Sequence, residues 1–177
     1  FFQVNRFLIE DLLQSVVGGE KGSLALDLYA GVGFFSLPLA KSFDRVIGVD
    51  ANLAATRDLR ANAESAGLSV TSHNLHTEEF LKKFEEKPDL IVLDPPRSGL
   101  GQSASAKLAE LQSPEIIYLS CDPSTLARDL AILTQTDRMP QGAKPNTAPY
   151  EISRVQMFDL FPQTHHIETL VHLRLRT

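Results

Sequence analysis

The chain has a single cysteine, Cys121, among its 177 residues. That excludes a disulfide framework, and any zinc or iron–sulfur site built from cysteines of this chain. It fits a reducing cytoplasm, the expected compartment. No apolar run approaches the ~20 residues that span a bilayer. The opening stretch FFQVNRFLIEDLLQSVV lacks a basic start and carries Glu10 and Asp11, so it does not read as a signal peptide. Positive charge is also scarce, with 17 Lys and Arg against 22 Asp and Glu, a formal net charge of −5. A self-sufficient nucleic-acid binder is usually basic, because phosphate contacts dominate its affinity. A nucleic-acid surface would need a missing domain or a local patch, for which Arg6, Arg97, Arg128 and Arg154 are candidates. Metal-like ligand spacing is absent as well. His165 and His166 are adjacent, project to opposite sides of an extended chain and read as loop histidines, so no metal is expected.

What is present is an ordinary globular composition, 43% hydrophobic and 22% charged. It suits one domain over residues 1–177 with a sizeable core. The chain starts without Met, inside what looks like a motif, and is expected to be part of a longer protein.

Apolar spacing predicts a helix over 4–17, stopped by Gly18 and Gly19. Strands are expected at 24–29, 45–50, 68–74, 89–94 and 115–120. Helices are expected between and after them at 34–43, 52–67, 77–86, 104–112 and 123–133. Residues 135–150 are polar and proline-rich and read as a long loop. Strands at 152–160 and 167–176 follow. Their link is too short for a crossover helix, which predicts an antiparallel pair. The whole predicts an α/β fold, a doubly wound and mostly parallel seven-stranded sheet with an antiparallel last strand.

In such sheets ligands bind beyond the carboxyl ends of the strands. That rule gathers Tyr29, Gly31, Gly33, Asp50, Asn74, Asp94 and Cys121 on one rim. Gly31-Val32-Gly33 follows the first strand, and Asp50 stands at the end of the second. A glycine turn with a carboxylate for ribose hydroxyls holds a nucleoside. It does not separate a dinucleotide from S-adenosylmethionine, although Ser36 replaces the third glycine of the dinucleotide pattern. A tight turn and a helix-terminal acid without a ligand are the plain alternatives. Asn74 could bond an adenine edge or simply form a turn. Asp94 precedes Pro95 and Pro96, which stiffen its loop and fix its carboxylate at the rim; a helix cap is the alternative. Arg97 could clamp a phosphate or pair with Asp94.

Cys121 closes the run IIYLS and precedes Asp122, an N-cap residue, and Pro123, a first-turn residue. The helix terminus is expected to favour the thiolate, the alternative being a small buried residue. Glu168 lies among apolar neighbours, where a raised pKa suits a general base; an exposed strand-end Glu is the alternative.

These segments together resemble the RNA 5-methyluridine methyltransferases of tRNA and rRNA. The similarity runs through FFQVN (1–5), LDLYAGVGFFSLPLA (26–40), VIGVDANLAATRDLRANAESAGL (46–68), DLIVLDPPRSGL (89–100), SCDPSTLARDL (120–130) and MFDLFPQTHHIETLVHL (157–173). The resemblance implies S-adenosyl-L-methionine as cofactor and a uridine in RNA as substrate. It implies Cys121 as nucleophile and Glu168 as proton acceptor. Gln3, Tyr29, Asp50, Asn74 and Asp94 match positions that bind cofactor or target base, and Arg97 matches a basic residue on the substrate side. Asp122 departs from the commoner Asn. Competing expectations are an RNA 5-methylcytosine methyltransferase, which usually has a second cysteine where DPPR stands, and a nicotinamide-dependent oxidoreductase, which leaves Cys121 unexplained.

Overall fold

The computed structural model describes residues 5, 7–134, 149–164 and 166–176. Seven strands form one sheet: β1 Gly22–Leu28, β2 Phe43–Asp50, β3 Val70–Asn74, β4 Leu90–Leu93, β5 Glu115–Ser120, β6 Tyr150–Phe158 and β7 Glu168–Leu175. Their spatial order is β3-β2-β1-β4-β5-β7-β6. The first five are parallel neighbours. β7 inserts antiparallel beside β5, and β6 antiparallel beside β7. The helices are α1 Ile9–Val17, α2 Ser36–Leu39, α3 Leu53–Ser65, α4 Thr77–Lys83, α5 Gly101–Leu111 and α6 Pro123–Thr134.

The central strands are apolar on both sides, as strands covered on both faces must be. Leu12 and Val16 of α1, with Phe35 and Leu39 at α2, pack on Ala25, Val46, Val92 and Ile117. Phe80 and Leu81 of α4, Leu108 of α5 and Leu126 of α6 pack on the opposite face with Leu26, Ile91 and Tyr118. The sheet is therefore a three-layer core with its parallel strand ends on one rim.

The expected elements are all there, with altered limits. The helix expected over 34–43 is only Ser36–Leu39, because β2 already begins at Phe43, whose side chain is buried. The first helix starts at Ile9 rather than residue 4. α5 starts three residues early, at Gly101, where Asp129 receives its first amides. Residues 135–148, most of the expected long loop, and Gln3 and Arg6 lie outside the described residues. No helix among the described residues is long and apolar enough to cross a membrane.

Candidate active site

Six strand ends supply the site. Tyr29 follows β1 with φ 65°, a left-handed conformation that a bulky side chain rarely adopts. The turn continues through Gly31, φ 53°, and Gly33, φ 98°. The two glycines differ in what they face. A Cβ on Gly31 would meet no atom within 4 Å, whereas one on Gly33 would lie 2.5 Å from Cδ1 of Leu59. Gly31 thus fronts open space, and Gly33 lets α3 pack against the turn. Asp50, at the end of β2, accepts from the Gly31 amide at 2.9 Å and from the Asn52 amide at 2.7 Å. It braces the glycine turn and keeps further lone pairs for a donor. Asn74, at the end of β3, donates its amide hydrogens to the carbonyls of Asp50 (3.1 Å) and Ala51 (2.9 Å). Its Oδ1 is left as an acceptor, the complement of an adenine amine.

Asp94 follows β4. Burial, and then the charges of Glu168 and Asp27, push its carboxyl up to about 7. Arg97 does not pair with it. Instead Arg97 Nη2 lies 3.0 and 2.9 Å from the ring nitrogens of His166, and its positive charge opposes the rise of the Cys121 thiol pKa. The proposed basic patch does not assemble among the described residues. The Arg128 guanidinium is held by Asp129 and the Ser98 carbonyl, and Arg154 lines a groove with Glu115, at the opposite end of β5.

Cys121 and Glu168 come together although 47 residues separate them in sequence. The reason is register. Ser120 of β5 opposes Thr169 of β7, so the next position across the antiparallel ladder pairs Cys121 with Glu168. Glu168 is buried, and burial raises its pKa while Arg97 lowers it. Cys121 is half-buried. The expectation of a thiol tuned downward by the helix terminus is overturned. Burial first, and the Glu168 charge second, push the thiol up, with Arg97 opposing them. The physical reason is desolvation of the thiolate, which outweighs Arg97. Asp122 Oδ1 caps the helix, accepting from the Ser124 hydroxyl (2.7 Å) and from the amides of Ser124 (3.0 Å) and Thr125 (2.9 Å). The Ser124 hydroxyl first, and then these amides, hold the exposed Asp122 carboxyl below its ordinary range.

The chain matches the family model described as tRNA (Uracil-5-)-methyltransferase over residues 1–176. It belongs to that family. An uncharacterized RNA methyltransferase of Thermotoga maritima is 38% identical over 98% of this chain and 38% of its own length. One of Bdellovibrio bacteriovorus is 39% identical over 99% of this chain and 44% of its own. The chain thus spans less than half the length of these relatives. The crystal structure of Pyrococcus abyssi tRNA (uracil-54, C5)-methyltransferase in complex with S-adenosyl-L-homocysteine superposes with a TM-score of 0.82 at 32% identity. It covers 98% of this chain, which spans 40% of that one. The N-methyltransferase NodS of Bradyrhizobium japonicum shares the fold alone, with a TM-score of 0.73 at 16% identity, 98% of this chain and 97% of that one being covered.

Against this family background, two buried acids carry weight that the sequence did not signal. Asp129 is taken up below. Asp27, next to the carboxyl end of β1, is 1% exposed and accepts a short hydrogen bond from the Ser36 hydroxyl. Its other oxygen, Oδ1, is buried without a partner among the described residues. Burial, with a smaller push from Asp50, raises its pKa to about 7. The only sequence signal was an acid inside an apolar strand. A groove of about 350 Å³ between α4 and α5, lined by Glu78 and Lys107 among others, contains none of the expected site residues.

The raised carboxyls set a pH dependence. Asp27 rises from an ordinary 3.8 to about 7 on folding. Between those values the folded chain holds a proton that the unfolded chain has released, so stability falls as pH rises from 4 to 7. For Asp27 alone the full shift corresponds to on the order of 4 kcal/mol. Asp27→Asn keeps the shape and removes the titration. Urea unfolding should show the variant more stable than the parent at pH 7.5 by ~2 kcal/mol or more, with the gap closing toward pH 4. An equal gap at both pH values would contradict the assignment.

Proposed function

We propose that this domain methylates C5 of a uridine in tRNA or rRNA through a covalent adduct on Cys121, with S-adenosyl-L-methionine as methyl donor. The observation that carries the reading is the juxtaposition across the β5–β7 ladder of a thiol and a buried carboxyl, beside Arg97 and the nucleoside-type rim.

Residues on the rim fit the cofactor. Gly31 opens space for backbone approach, Asp50 and Asn74 offer acceptors to ribose and adenine, and Tyr29 stands at the turn with a half-buried ring. Asp94 stands at the rim with a carboxyl suited to the base edge. When bound, S-adenosylmethionine supplies an electrophilic methyl group. The chain's own residues do the rest. The Cys121 sulfur adds to C6 of the uracil, and the C5–C6 π electrons move into an enolate, which makes C5 nucleophilic. After C5 is alkylated, Glu168 takes its proton. The C5–C6 double bond re-forms and the thiolate leaves. The positive charge of Arg97 favours the anionic form of the thiol at both ends of this sequence. The target base must leave its stack to reach the sulfur.

The chain has no cysteine in DPPR, which separates the reading from a 5-methylcytosine enzyme. Calorimetry separates it from an oxidoreductase. S-adenosylhomocysteine should bind and NAD should not. Asp50→Ala, losing an acceptor and the brace on Gly31, should weaken binding at least ~10-fold, about 1.4 kcal/mol. NAD binding with no response to S-adenosylhomocysteine would defeat the cofactor assignment.

A further inference from the structure

Asp129 sits on α6, two turns beyond Cys121, and is 0% exposed. Its two oxygens receive the amides of Leu100 (2.7 Å) and Gly101 (3.3 Å), the Tyr118 hydroxyl (2.8 Å) and the Arg128 guanidinium (3.0 and 2.9 Å). A buried carboxyl is held only when its lone pairs are filled in this way. Three of those groups come from three separate places: the Leu100 amide at the end of the DPPRSGL loop, the Gly101 amide at the start of α5 and the Tyr118 hydroxyl in the middle of β5. Two neighbours complete the attachment. Arg128 Nη2 donates to the Ser98 carbonyl at 2.8 Å, and Thr125 Oγ1 donates to the Arg97 carbonyl at 3.0 Å. The fit is close. A Cβ on Gly99, φ 71°, would lie 2.4 Å from Asp129 Oδ2.

We propose that Asp129 is a positioning residue that latches the loop carrying Asp94 and Arg97 onto the helix that follows Cys121, so that the loop and the turn bearing the thiol move as one body. The proposal builds on the catalytic reading given above, in which Cys121 is the reactive group, but the contact it explains is between two groups of this chain. Loops held only by their ends drift; this one is fastened at Arg97, Ser98, Leu100 and Gly101 to a single helix. The latch also explains why Arg97 lies against His166 rather than pairing with Asp94.

The test uses the lone thiol. Alkylation of Cys121 by iodoacetamide, followed across pH 6–10, reads only this residue because no other cysteine exists. Arg97→Ala in the parent chain should slow alkylation at pH 7.5 about 5- to 10-fold, since a tenfold loss of thiolate is one unit of pKa. In an Asp129→Asn background the same Arg97→Ala change should alter the rate less than ~2-fold, because Arg97 has already left the thiol. Circular dichroism and a thermal melt establish that the variants are folded. Thr125→Val removes only the bond to the Arg97 carbonyl and keeps the measurement available should Asp129→Asn not fold. It should give an intermediate coupling. A full Arg97→Ala effect in both backgrounds, or none in the parent, overturns the latch. None of these rates involves RNA or cofactor. Failure to methylate uridine would therefore defeat the catalytic reading while leaving the latch standing, and the reverse holds equally.

Discussion

RNA carrying 5-fluorouridine at the target position should stay covalently attached to the parent protein and should not attach to Cys121→Ala. Fluorine at C5 leaves no proton to remove, so the adduct can form and be alkylated but cannot collapse. A complex that survives denaturing electrophoresis is the measurement. Loss of turnover in Cys121→Ala should be near-total, because without sulfur at C6 no enolate forms at C5. The thiol sits higher than an ordinary cysteine in the free chain, so adduct formation should also accelerate with pH through the neutral range. Equal trapping by Cys121→Ala would remove Cys121 from the chemistry and return it to a half-buried strand-end residue.

Glu168→Gln should separate two steps by acting on them in opposite directions. The amide cannot take the C5 proton, so product release should slow by on the order of 10²–10⁴-fold, with unmodified uridine substrate remaining attached after its methyl group has arrived. The same change removes a negative charge that pushes the Cys121 thiol up, so iodoacetamide should alkylate Cys121 faster at pH 7.5 than in the parent. Slow release with unchanged thiol reactivity would put the carboxyl too far from the sulfur for the proposed pair. Unchanged release would assign proton removal to another group.

The order of strands and helices was readable because the central strands β1, β2, β4 and β5 are short, mostly apolar runs that lead into glycine, an acid or proline, and the helices between them carry their own periodicity. α2 was overestimated for a local reason. FFSLPLAKSF has no glycine and its only proline stands inside the helix, so nothing in it marks where four helical residues give way to a strand that begins at Phe43. The rim residues were readable because the strand-end rule collects them whatever their separation. The partners of Arg97 were not. Asp94 is three residues away and looks like its natural counter-ion, but the proline pair and the Asp129 attachments turn the guanidinium toward Cys121 and His166. Asp27 and Asp129 were silent because each lies in a run, LALDL or LARDL, where a charged residue looks like an ordinary interruption. Only burial gives them meaning. The direction of the Cys121 shift was not legible because burial and the approach of Glu168, which raise it, are set by the fold and not by the local sequence.

The reversed course of β7 has a consequence for how the site matures. As the ribosome releases this chain, the strand ends from Tyr29 to Asp94 emerge first, and the sulfur follows. The carboxyl at Glu168 comes after all of them, on the strand that pairs with edge strand β6. A nascent chain halted before β7 would hold every rim residue and the thiol but no proton acceptor across from it. Before methylation the thiolate could still be expelled from C6, but after it nothing would take the C5 proton, so competence to release methylated product arrives with the strand that carries Glu168.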